Sequence, residues 1–143
     1  MVNVRGFSLL EVLIVVAIIL VIAMIAIPSL MKSRQASHEA TAVATLKTIS
    51  TAEISYTTSS GGVFGTIPEL IAAGLLPSSL NSTIAGYNYN MDMAAGQRDY
   101  TVWATAVTSS EGRYDYYTSP DWVIRYSTDS TRAPAGVAGV PVQ

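Results

Sequence analysis

An unbroken run of sixteen apolar residues, Val12 to Ile27, constrains this chain more than any other feature. With the residues before it, the run makes a 21-residue segment, FSLLEVLIVVAIILVIAMIAI, whose one charge is Glu11. As an α-helix it spans about 30 Å, the thickness of a bilayer core. Such a segment cannot stand bare in water; it must lie in lipid or among other segments like it. A secretory signal peptide is the rival reading, but its apolar region is ~7–15 residues and ends in a small-residue cleavage site. This run ends at Ile27-Pro28 and passes into more helical sequence. Arg5 lies before it and Lys32 and Arg34 after it, a weak orientation signal.

The whole chain, 143 residues, is long enough for one modest domain beside this segment. The first 27 residues carry only Arg5 and Glu11 as charges, while the remainder is Ser/Thr-rich and moderately apolar. A net charge of −2 argues against an electrostatic grip on nucleic acid. The absence of cysteine excludes disulfides, thiolate chemistry and Cys-based zinc sites. A single histidine, His38, excludes a His-based metal cluster.

Beyond Pro28, residues 29–57 read as helix, with Ala36, Ala40, Val43, Leu46, Ile49, Ala52 (or Glu53) and Tyr56 at three- and four-residue steps. Pro28 should bend or locally open the helix between its apolar and amphipathic halves. Thr57 to Gly62 should end it. Thr66 and Glu69 form a T-x-x-E capping box with Pro68 in the first turn, predicting a short helix from Ile67 to Ala73 that stops at Gly74. From Tyr87 the period becomes two, predicting strands at Tyr87–Met93, Tyr100–Val107, Arg113–Thr118 and Trp122–Ser127. Short connections make them an antiparallel meander. Residues 128–143 read as an extended tail.

A four-stranded sheet with one apolar face needs a cover. The stripe from Val43 to Tyr56 is wide enough to supply it. The predicted class is therefore α+β: a long kinked N-terminal helix whose C-terminal half packs on a four-stranded antiparallel sheet.

The stretch RGFSLLEV, the apolar helix after it and Pro28 near its end resemble the N-terminus of type IV pilin precursors and related pseudopilins. SHEATAVATLKTISTAEISY is similar to the helix of bacterial pilins with small heads, and YTVWATA and YYTSPDWVIRY to their sheet. The resemblance implies the pilin fold with five parts. These are a leader at 1–6, a transmembrane and filament-core helix at 7–28, an amphipathic helix at 29–57, a globular head at 58–127 and an extended tail at 128–143. It implies that a prepilin peptidase cuts after Gly6 and methylates the new amine of Phe7. Loss of MVNVRG removes Arg5, leaving 7 basic and 10 acidic residues, a net −3. The mature chain would sit in the inner membrane, held by lipid, until assembly machinery builds it into an extracellular homo-oligomeric helical filament. Adhesion, motility, DNA uptake and secretion all use subunits of this kind. Many relatives have a glycine in the first helix and a cysteine pair in the head; this chain has neither.

Glu11 has a bland reading, an acid tolerated near a membrane interface, although a carboxylate at the bilayer centre costs roughly 3 kcal/mol. The functional reading makes it the partner of the Phe7 amine, its own or a neighbour's, since opposite charges in a low dielectric attract strongly and an unpaired one is penalised. Assembly is thus assigned to Phe7, Glu11 and Pro28, and processing to Gly6 and Phe7. His38 reads as a solvated or interfacial side chain, and the head's aromatics as core and cross-strand packing rather than an electron path. The scattered acids lack D-x-D-x-D-G spacing and read as turn caps rather than calcium ligands. Asn81-Ser82-Thr83 matches an N-x-[ST] tripeptide, which is frequent by chance. No catalytic constellation is visible, so no enzymatic activity, metal or cofactor is expected. The leading expectation is a major-type pilin; the alternatives are a pseudopilin of a type II secretion system and a membrane-anchored binding domain that never polymerises.

Overall fold

The computed structural model describes residues 6–127 and 139–142. Residues 1–5 of the expected leader and most of the expected tail, 128–138 and 143, lie outside the described residues. The chain divides into two compact units, residues 1–34 and 35–143, and helix α1 (Leu9–Ser59) contributes to both.

The first unit is the apolar part of α1. The backbone N–H of Val12 donates to the Ser8 carbonyl at 3.3 Å, closing the first turn. Every large apolar side chain from Leu9 to Ile27 is exposed. The expected bend at Pro28 does not interrupt the helix, which runs unbroken through it. Proline has no N–H, so the Met24 carbonyl four residues back loses its intrahelical donor there.

The second unit is an α+β head. Five strands, β1 (Tyr87–Met93), β2 (Tyr100–Ala106), β3 (Asp115–Thr118), β4 (Arg125–Ser127) and β5 (Val140–Pro141), form one sheet in sequence order with every neighbour antiparallel. The predicted meander is therefore present, but with five strands rather than four. β5 belongs to the segment read as a tail: Tyr126 pairs with Val140, and the Val142 N–H donates to the Ile124 carbonyl at 2.8 Å. It is only two residues long and lies in Pro/Gly-rich sequence, so its pairing with β4, not its own pattern, makes it a strand. Pro141 is tolerated because β5 is the edge of the sheet.

Two predicted strands begin later than expected, each for a local reason. The Arg113 N–H is taken by the Glu39 carboxylate at 2.8 Å rather than by a neighbouring strand, and β3 starts at Asp115. Trp122 closes the turn that opens at Ser119, its N–H donating to the Ser119 carbonyl at 2.8 Å, and it sits at φ +58°. That left-handed backbone is incompatible with a strand, so β4 starts at Arg125.

Side chains alternate as strand geometry requires: Tyr100, Val102, Ala104 and Ala106 of β2 are buried, with Tyr87 and Tyr89 of β1 and Tyr116 of β3. They join Ala42, Leu46, Ile49 and Ala52 of α1 in one apolar cluster, as the cover argument requires. The helical stripe is nevertheless displaced from the predicted one. Ala36 and Ala40 are exposed and Glu39 and Ala42 are buried in their place, whereas Ala52 and its alternative Glu53 are both buried. Helix α2 (Ile67–Ala72) adds Ile67 and Leu70 to the core. Its capping box is formed: the Glu69 N–H donates to Thr66 Oγ1 at 3.4 Å, and the Thr66 N–H donates to Glu69 Oε2 at 2.7 Å. At its end Gly74 takes φ +72°, while the N–H groups of Gly74 and Leu75 donate to the carbonyls of Ile71 and Leu70, a Schellman stop. A 3₁₀ turn at Ser78–Asn81, not expected from the sequence, buries Leu80.

Candidate functional site

The four residues singled out from the sequence lie in the first unit. Gly6 is exposed, and a Cβ built on it would touch nothing within 4 Å. Phe7 is 78% exposed, two residues before α1 begins. Glu11 lies in the first turn of α1, four residues after Phe7, and is exposed. Pro28 stands seventeen residues farther along the same helix. Phe7 and Glu11 therefore share one end of the apolar segment, and Pro28 marks the other.

Within residues 7–31 Glu11 is the sole charged side chain, surrounded by exposed Phe7, Leu9, Leu10, Val12, Leu13 and Val15. In lipid or among like helices a carboxylate so placed needs a cation close by, because water is not there to solvate it. While Gly6 is joined to Phe7, the Phe7 nitrogen is a neutral amide. Cleavage of that bond would create a positive amine at the same end of the helix as Glu11.

The head holds two arrangements that the sequence reading missed. In the first, one turn of α1 grips the connection between β2 and β3. Gln35 Nε2 donates to the Ser109 carbonyl at 2.7 Å, His38 Nδ1 lies 2.7 Å from Glu111 Oε2, and the Arg113 guanidinium meets Glu39 Oε2 at 3.2 Å. The Glu39 carboxylate keeps the Arg113 proton more firmly held than usual, first through that hydrogen bond and then through its charge. His38, read as a solvated or interfacial side chain, lies at the contact with this connection.

The second is Glu53, which is fully buried. Its Oε2 accepts from the Gly65 N–H at 3.0 Å, on the connection between α1 and α2. Burial is the main reason its carboxyl is pushed up to about 7; the Gly65 hydrogen bond works the other way, and the charge of Glu69 adds to the rise. The signal for both acids was present as spacing: Glu39, Ala42, Leu46, Ile49 and Glu53 follow 3-4-3-4 steps. A stripe read for small and apolar residues passes over Glu39 and holds Glu53 only as an alternative to Ala52. Among the described residues no three His, Asp or Glu side chains gather as a metal site would require.

Comparison with known proteins bears on both units. Residues 1–27 match the prokaryotic N-terminal methylation motif. The chain is also 30% identical over 115 residues to the type IV wide pilus major component PilA4 of Thermus thermophilus, an alignment covering 78% of this chain and 87% of the relative. A match of that length cannot be accommodated by the 27-residue motif alone, so the likeness extends into the head. An apolar N-terminal helix fit for a membrane, a helix-backed antiparallel sheet and a relative matched over most of its length agree: this chain belongs to the type IV pilin family, whose members are structural subunits of pili.

Proposed function

We propose that this chain is a major-type pilin that polymerises into a type IV pilus. The observation that carries the reading is Glu11, the one charge of a long apolar helix, placed four residues beyond the Gly6-Phe7 bond. A prepilin peptidase cuts after Gly6 and the new Phe7 amine is methylated. Residues 7–28 then hold the subunit in the inner membrane, residues 29–57 pack on a globular head formed by 58–127, and Val140–Pro141 close the edge of its sheet. In the filament the apolar segments leave lipid for one another's company, and assembly machinery in the membrane drives the exchange. Glu11 and the Phe7 amine act as a register device: a neighbour in register neutralises both charges, and one out of register leaves both unpaired in low dielectric. Pro28, which deprives Met24 of its helical donor, is where the helix opens if packing requires it. The name of the Thermus thermophilus relative, a major component of a wide pilus, supports a subunit made in bulk.

The experiment is the intact mass of the chain recovered from surface filaments. The expected species lacks MVNVRG and carries one methyl group on Phe7. A filament subunit that retains its leader, or a mature terminus at another residue, contradicts the proposal.

A further inference from the structure

Glu53 is a buried acid with no role in the assembly reading. Its side chain has no exposed surface, and of its two oxygens Oε2 has the Gly65 N–H while Oε1 has no hydrogen-bond partner. The titratable groups whose charge acts with that of Glu53 are Glu69 from α2 and Tyr100 from β2, and Asp121 acts on Tyr100 in turn. All are acids, so no cation among them offsets a charge on Glu53. The Tyr100 hydroxyl, itself pushed up to about 12 mainly by burial, stays neutral and does not compensate.

The other half of the contact is tightly built. Gly65 lies against the Tyr56 ring, where a Cβ would come 2.9 Å from Cε1. The adjacent Phe64 N–H donates to the Gln97 carbonyl at 2.8 Å, and Gln97 Nε2 reaches Glu69 Oε2 at 3.3 Å. The connection from Ser60 to Thr66 is thus fastened to α1 at Glu53, to the β1–β2 turn at Gln97, and to α2 through the capping box.

We propose that Glu53 is a proton-operated latch on this connection: neutral, it stays in the core and keeps Gly65 against α1; ionised, it favours an open connection in which the carboxylate reaches water. The proton leaves to solvent, and no other group changes state. A carboxyl whose folded value lies near 7 and whose solvated value is 4.5 makes the closed state strongest below about pH 4.5 and weakens it as pH rises through 7. The latch is independent of cleavage and polymerisation, since none of its residues lies in the apolar segment.

The test uses the full chain in detergent micelles. Hydrogen exchange of peptides covering residues 60–66 is measured from pH 5.5 to 8.5 and corrected for intrinsic rates. The wild type should lose protection there roughly tenfold or more across that range, and Glu53→Gln should not. Parallel behaviour of the two proteins overturns the proposal. Titration of the wild-type Glu53 side-chain carboxyl by carbon NMR decides independently, even if Glu53→Gln fails to fold. A midpoint near neutrality supports the latch, and one in the ordinary range near 4.5 overturns it.

Discussion

Two stretches of helix α1 solve the problem of apolar surface in opposite ways. From Leu9 to Ile27 nearly every side chain is apolar and exposed, so the stretch has no inside within its own chain. From Glu39 to Glu53 a narrow stripe of seven residues is buried, and half of the remaining residues are threonines, with Ala40, Val43, Ala44 and Lys47 between them. Thr41, Thr48, Thr51 and Ser55 each donate to the carbonyl four residues back, which satisfies their hydroxyls within the helix. A helix that is apolar all round finds its partners outside the molecule, whereas a striped one finds them in its own sheet. One continuous helix thereby leaves one part apolar and exposed and gives the other to a folded head.

This difference can be broken by making one kind of change in both stretches. Leu46 is fully buried, so Leu46→Ala should destabilise the head by about 2–5 kcal/mol, read as a lower thermal midpoint of the near-UV signal. Next comes the grip on the β2–β3 connection. Removing the Glu39 carboxylate frees the Arg113 N–H and guanidinium, but Arg113 is 59% exposed and regains water, so Glu39→Ala should cost only about 1–2 kcal/mol in chemical denaturation. Loss of the α2 cap in Thr66→Ala should cost about 1 kcal/mol by the same measurement. The smallest effect belongs to Ile19→Ala, which should leave the midpoint of the head unchanged because Ile19 belongs to the first unit and its side chain is exposed. A large shift from Ile19→Ala would collapse the distinction between the two stretches.

Much of this was legible in the residues. The apolar run, the T-x-x-E box and the alternation predicting Tyr87–Met93 and Tyr100–Val107 are strong local patterns, and the elements they predict appear there, with α2 and β2 each ending one residue early. What failed depends on contacts between distant residues. The fifth strand exists because Tyr126 pairs with Val140, the late start of β3 because Glu39 takes the Arg113 N–H, and the late start of β4 because Trp122 closes a turn. Strand propensity sees none of these. The helical stripe takes in Glu39 and keeps Glu53 beside Ala52, and burial of an acid is credible only once its donors, Arg113 and Gly65, are known. The residues proposed for processing and assembly were legible for the opposite reason: Gly6, Phe7, Glu11 and Pro28 form a linear pattern that needs no fold to be read.

The role of Glu11 is the centre of the account, and filament yield from Glu11→Ala tests it most directly. Electron microscopy of surface filaments, scored beside the thermal midpoint of the purified chain, separates assembly from folding. The account predicts absent or disordered filaments from a protein whose head melts as the wild type does. Ordered filaments at wild-type yield would contradict it.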